Sequence, residues 1–551
     1  MRLDTLITNA HILTGSTTRP SASRIGIWQG KIVGVDEELD HLVDAVGAVA
    51  PGEVHDANGA TIVAGFNDVH AHSVWFGQTL IEVDLAEATT PHDVYAAIAS
   101  SIGQLDADQW VICSNFNPLQ LTGSVNRDHL DEIAQRRPVL IKHRSGHAYT
   151  VNGVGLHRAG LPEYPRTQPE GGEIVTDAQG RATGVLDENA MRAVQDILQP
   201  EALEDVVAAL AAASQHYLTE GLTSVTDAGI AGGWIGHTPR EFAAYQVAAR
   251  RGLLKHRSQT MITMDALHQL QGHTSDQAAR GLDAGIRSGL GDNRLQIGPV
   301  KVFTDGSLLG ATAAMTEEYA HCQHNHGYMQ GDPDQMRQSV IDAAGAGWAL
   351  ALHAIGDAAI DFSIDTIVEA RATHGPGPMP DRIEHGGVVR DDQIARMAQQ
   401  GIVLVPQPYF ISVFGEGMLT NLGDERAKLS YPARRLLDAG MTLPGSSDRP
   451  VAHGAPLSVI QAFAQRLTEA GTPYGPDDRI SVAEALRAYT VGSAAATGWA
   501  GTKGVLAAGY LADLVVLGAN PLKTDLSHLA DIPILATMVG GSVAFGSISG
   551  N

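Results

Sequence analysis

Apolar and polar positions follow two periods along this chain, and their order predicts its architecture. Short apolar runs ending in polar residues occur at 62–69, 223–227, 258–264, 297–303, 349–353, 382–385, 402–405 and 442–446. Helical patterns fall between them. In 201–220 the apolar residues Leu203, Val206, Val207 and Leu210 make a stripe of helical spacing. Residues 333–345, 358–373, 391–400 and 427–440 read the same way. Eight such runs alternating with helices predict an α/β fold, a (β/α)8 TIM barrel. Two further apolar runs, 110–114 and 139–143, lie in the long stretch after the first barrel strand. They are read as an inserted α+β, lid-like region with its own hairpin, 173–176 and 182–186 around Asp177-Ala178-Gln179-Gly180.

Both chain ends read as β structure. Residues 3–12 are apolar-rich, and RIGIWQGKIVGVD at 24–36 suggests two short strands around a Gln29-Gly30 turn. Near the other end, 511–517 and 534–545 are strand-like, the second broken at Gly540-Gly541. Neither piece can build a good core alone, so the two are expected to meet in one small β-sandwich. The predicted organisation is 1–58 for the first part of the sandwich, 59–84 for barrel strand 1 and 85–200 for the insertion. The rest of the barrel takes 201–499, and 500–551 complete the sandwich.

Composition narrows the function. Of 551 residues, 44% are hydrophobic and 18% charged, enough for a large core and too apolar for general disorder. Lys and Arg number 37 against 61 Asp and Glu, a net charge of −24 that disfavours binding a phosphate backbone. Cys113 and Cys322 are too few for a disulfide scaffold and suit a reducing compartment. The opening MRLDTLITNAHI has no charged head before an apolar stretch, and no run approaches the roughly 20 apolar residues of a membrane span. A cytoplasmic protein acting on a small molecule is expected, with no nucleic-acid or membrane partner and a homodimer as the default assembly.

The candidate chemistry sits at the strand ends. His70 and His72 form an HxH pair at the end of the first run, where residues two apart share a strand face. The fourth run carries Lys301 and leads to Asp305, the fifth ends at His353, the sixth at His385, and the eighth leads to Asp448. A barrel gathers its active-site groups at these ends. Imidazole nitrogens and carboxylate oxygens without thiolate suit Zn²⁺, and also Mn, Fe or Co. No GxSxG elbow points to a serine nucleophile.

These residues resemble the amidohydrolase superfamily over almost the whole chain. GFNDVHAH matches its HxH strand, and VKVFTDGSLLGATAAM, LHAIGDAAI, RIEHG and PGSSDRPVAHGAPL resemble its type 3, or YtcJ-like, subgroup. TGVLDENA, RSGHAYTVNG, SVAEALRAYTVGSAAATG and GTKGVLAAGYLADLVVL are similar to further subgroup segments. The resemblance implies a metal-dependent hydrolase of C–N bonds in amides or formamides, with two divalent ions. His70 and His72 would bind the more buried ion, His353 and His385 the second. Lys301, as a CO₂-derived carbamate, would bridge them. Asp448 would bind metal and serve as general base and acid for attack by a bridging hydroxide. A mononuclear deaminase-like enzyme, an ester or lactone hydrolase, and a non-catalytic barrel scaffold are the alternatives.

Secondary candidates surround this set. His147 in the insertion, Trp75, Phe116 and Asp305 are read as substrate-binding or pocket residues. Arg449 either binds an anionic substrate group or pairs with a nearby carboxylate. Asp68 is either a structural residue of the strand end or a partner supporting the HxH pair, and Asp357 either fixes a loop or orients His353. His321, Cys322, His324 and His326 lie on a loop and lack a paired metal spacing, so they are read as lid or pocket wall.

Overall fold

The computed structural model describes residues 3–40 and 54–548, apart from 107, 145, 147, 170, 171, 274, 276–278 and 323. It divides into two compact units, residues 1–72 with 214–551, and Ser73–Ala213.

The first unit holds the barrel. Its seven strands are Phe66–Ala71, Leu222–Ile230, Arg257–Thr263, Leu295–Phe303, Leu350–Ala354, Arg382–His385 and Val403–Val405. They lie side by side in chain order, every pair parallel. Phe66–Ala71 is buried at every position, as expected of a parallel strand covered on both faces. The eighth predicted strand is a correction, because 442–448 takes no strand assignment. Pro444 has no N–H to give a ladder. The segment still spans the gap between the outer strands. Val69 N–H donates to Gly445 O (3.1 Å) and Asp448 N–H to His70 O (2.7 Å), while Ser446 Oγ donates to Pro406 O (2.9 Å).

The first predicted run is in fact two strands. Thr61–Ala64 pairs with His11–Leu13 and Leu514–Leu517 in the terminal domain, and Phe66–Ala71 alone enters the barrel. Gly65 makes the joint. A Cβ there would lie 2.2 Å from Thr223 Oγ1, so only glycine lets the chain pass. The run is apolar up to the joint and keeps Phe66 and Val69 beyond it, so it reads as one strand.

The chain ends form two facing sheets. One has the order Lys31–Val35, Ile25–Trp28, Thr5–Thr8, Val54–Asp56, and the other runs from Ser542–Gly546 through Ile534–Val539 to Ser21–Ala22. Ile7, Ile27 and Ile32 of the first pack with Ile62, Leu514, Val516 and Met538 of the second in a common core. Asp513 ties this domain to the barrel. It takes 2.6 and 2.9 Å bonds from Arg257 Nε and Nη2, with both side chains nearly fully buried, and a 2.7 Å bond from Gly540 N–H.

Helices form at Leu203–Thr219, Pro333–Gly345, Asp357–His374 and Asp391–Gln400. The helix expected over 427–440 is only Ala433–Asp438, and a longer one, Tyr409–Ala427, precedes it. Gly415, Gly417 and Gly423 mask that helix in sequence, and Gly423 kinks it at φ 71°.

The second unit is a six-stranded sheet with helices. The runs near 110 and 139 are its strands Val111–Phe116 and Val139–His143, parallel to each other, and Gly172–Thr176 with Ala182–Glu188 is the expected hairpin. Among the described residues no helix is long and apolar enough to cross a membrane.

Asp513→Ala should strand the Arg257 guanidinium in a dry setting, a cost of about 3–5 kcal/mol. Thermal unfolding should show a clearly lower Tm. An unchanged Tm would mean that this ion pair does not hold the two domains' packing.

Candidate metal centre

The barrel topology brings the strand-end residues together. The His70 and His385 rings lie 4.7 Å apart, His353 and His385 4.5 Å, and His70 and His72 5.7 Å between centroids. Asp448 Oδ1 is 3.0 Å from His72 Nε2 and 3.3 Å from His70 Nε2. His70, His385 and Asp448, all buried, offer ligand atoms within 4.8 Å of one another and could hold a metal ion. His385 and Asp448 both adopt left-handed backbone, φ 76° and 59°. Such strain in non-glycine residues collects where function requires it.

Three of the imidazoles, His70, His353 and His385, are aimed by a partner on the far nitrogen. His70 Nδ1–H donates to Glu384 Oε2, and Arg382 grips both Glu384 oxygens at 2.8 Å. Burial pushes the Glu384 carboxyl up, but the Arg382 guanidinium and His70 outweigh it, and the net position is well below the usual range. An ionised Glu384 can only accept, so it fixes the His70 tautomer with Nε2 facing the site. His353 Nδ1–H donates to Asp305 Oδ1 at 3.0 Å. His385 Nδ1–H donates to Gln407 Oε1 at 2.9 Å, and the Gln407 amide is turned that way by its own donations to Val405 O and Ser446 Oγ. Asp68 accepts the His70 N–H at 3.1 Å and also the Ser447 N–H and hydroxyl, joining the first strand to the eighth segment.

The charge pattern suits a cation. Burial, with help from His353 and His70, holds His385 well below its ordinary value and so neutral. Burial alone would raise Asp448, but the His70 and His72 imidazoles beside it hold it well below the carboxylate range. Lys301 Nζ is buried, makes no hydrogen bond among the described residues, and stands 5.0 Å from the Phe303 ring centroid. Burial draws its amine down to about 8 against the pull of Glu384 and Asp448. A buried lysine with no partner beside aimed imidazoles and a carboxylate is a donor set that fits a divalent metal centre.

The secondary candidates divide. Asp305, read from sequence as a substrate residue, is buried and spends its carboxylate on His353 and on the N–H groups of Ala314, Ile355 and Gly356, so it positions an imidazole instead. Arg449 takes the second of its two alternatives, because it is buried, 2.7 Å from Glu220 Oε2 and stacked over Tyr217. Asp357 fixes a loop, accepting from Thr316 and Arg390. Phe116 is a core side chain of the Ser73–Ala213 unit, its ring 5.1 Å from His143, and not a pocket residue. Trp75 is half-buried on helix Ser73–Ile81 of that unit. His147 lies outside the described residues. Residues 321–326 join no metal-holding group among the described residues, and His324 is exposed beside Glu318.

Sequence reading missed Glu384, Arg382 and Gln407. The signal for the first two was an Arg and a Glu two apart in a short strand around Ile383, which puts a charge pair on one buried face. Gln407 had no comparable signal.

Imidazoles aimed by buried carboxylates and an amide, at the ends of parallel barrel strands, define a metal-dependent hydrolase acting on small molecules. The chain belongs to the amidohydrolase family, whose model matches residues 53–545. It is 29% identical over 560 residues to the N-substituted formamide deformylase of Arthrobacter pascens, covering 98% of each chain. It is 28% identical over 493 residues to the protein YtcJ of Bacillus subtilis (strain 168), covering 89% of each. A crystal structure of an uncharacterized metal-dependent hydrolase from Pyrococcus horikoshii OT3 superposes with a TM-score of 0.76 at 24% identity, covering 95% of this chain and 99% of that one. That likeness concerns the fold.

Gln407→Leu should leave the fold intact and weaken metal binding about 10–100-fold, because His385 loses the acceptor that aims it. Competition with a chelator reads this. Wild-type affinity in the variant would remove Gln407 from the centre.

Proposed function

We propose that the protein hydrolyses the C–N bond of a small amide, most simply an N-substituted formamide or another N-acyl amine. The observation that carries this is Asp448, a carboxylate held 3.0 and 3.3 Å from His72 and His70, together with the buried Lys301, whose Nζ has no hydrogen-bond partner among the described residues. His70 and His72 would hold one divalent ion and His353 and His385 another, with zinc as the first choice. Lys301 would bridge them as a carbamate. Its amine, drawn down to about 8, is neutral far more often near neutral pH than an ordinary lysine and so is readier to add CO₂. Bound ions of this kind polarise a carbonyl and acidify water. The deformylase named above, similar along its whole length, supports an amide over an ester.

The chain's own residues then have defined tasks. Glu384, Asp305 and Gln407 hold three imidazoles in one tautomer each, so no reorganisation is needed during turnover. Asp448 accepts the proton of the attacking water and returns it to the leaving nitrogen, so that the amine departs neutral. The compartment in this reading is the cytoplasm, in keeping with the free Cys113 and Cys322. A second reading is a mononuclear enzyme using His70, His385 and Asp448, since those three ligand atoms cluster most tightly.

Asp448→Asn should lower kcat on any amide the wild type cleaves by roughly 10²–10⁴-fold, the usual worth of a general acid–base group. Full activity in the metallated variant would end the assigned role. Lys301→Ala should lose metal, and added short carboxylates should restore part of it. Unchanged metal content in Lys301→Ala would favour the mononuclear reading.

A further inference from the structure

We propose that Trp234 and Phe303 form an aromatic platform that selects substrates carrying a flat apolar substituent next to the reacting bond. This rests on the hydrolytic reading above for the bond that breaks, and it adds the class of substrate that the site takes.

Phe303 ends the fourth barrel strand two residues after Lys301, on the same strand face. Its ring centroid is 5.7 Å from that of His353 on one side and 5.4 Å from that of Trp234 on the other, tilted by 53°. Ring contacts therefore run in sequence from the buried His385 through His353 and Phe303 to the exposed Trp234. Trp234 is 67% exposed, whereas its neighbour Ile235 is 5% exposed.

The loop between the second strand and the helix Glu241–Arg250 is built to hold Trp234 there. Ile235 is its anchor, packed so closely that a Cβ on Gly229 would come within 2.9 Å of it. The buried Glu241 carboxylate takes the N–H groups of Ala231 (2.8 Å) and His237 (3.0 Å), and Gly236 N–H donates to Gly232 O (3.0 Å). Ala231 and Gly233 take left-handed backbone, φ 71° and 65°. A Cβ at Gly232 would lie 2.7 Å from Thr263 Oγ1. A pinned loop that leaves two thirds of a tryptophan exposed beside Phe303 forgoes much of the burial that this residue ordinarily gains. A flat substituent laid on Trp234 and Phe303 recovers it by stacking.

The test is equilibrium binding to the metal-loaded protein of three hydroxamates, whose head group chelates metal. Benzohydroxamate carries a flat ring, cyclohexanecarbohydroxamate a puckered ring of the same carbon count, and acetohydroxamate none. Wild type should prefer the flat ring to the puckered one. Trp234→Ala should weaken benzohydroxamate by roughly three- to tenfold, the worth of one aromatic contact, and leave acetohydroxamate unchanged. Trp234→Phe should keep most of the preference. Equal binding of both rings by wild type, or the same flat-ring preference in Trp234→Ala, would overturn the proposal. A retained, Trp234-dependent preference in a protein that cleaves no amide would sustain the platform and defeat the hydrolytic reading. No binding of any hydroxamate would contradict both.

Discussion

A carboxylate cannot be left alone in a dry barrel interior, and the rest of this site follows from how Glu384 is accommodated. Arg382 neutralises it from the same strand, and the remaining lone-pair direction is taken by His70 from the first strand. That contact does two things together. It satisfies a buried charge, and it fixes the imidazole so that Nε2 faces Asp448. Arg382 also donates to Val69 O, one residue before His70, so the same guanidinium sets the height of the HxH strand against the sixth strand. Charge neutralisation and ligand placement are one arrangement.

The same logic repeats around the mouth. Asp305 and Gln407 aim His353 and His385, and each is itself held by backbone or side-chain partners. The eighth segment shows how far geometry is bent to serve this. It gives up strand pairing through Pro444 and keeps bonds to both outer strands, among them the one that places Asp448 beside His70. Left-handed backbone at Asp448 and His385 then turns both side chains to one centre.

Much of this was legible in the sequence because the residues of the candidate centre stand at or near the ends of short apolar runs, and a parallel barrel collects such ends. His70, His72, Lys301, His353, His385 and Asp448 all stood out that way. The terminal strands and the inserted hairpin were legible from alternation and turn residues. What escaped depends on contacts that no local pattern carries. His70 and Glu384 are 314 positions apart. Nothing near Arg449 announces that Glu220 will neutralise it. Phe116 reads equally as pocket or core until its sheet is folded, and it is core. The joint at Gly65 was missed because the apolar Ile62-Val63-Ala64 leads straight on to Phe66 and Val69, with no turn residues other than the glycine between the two strands.

The central claim is that this centre holds two divalent ions bridged through Lys301. The most direct measurement is metal per chain, by elemental analysis of protein purified without chelator and then supplied with zinc and bicarbonate. The account predicts about two ions per chain, as in two-metal hydrolytic sites. A stoichiometry that stays at one ion or none under those conditions would contradict it.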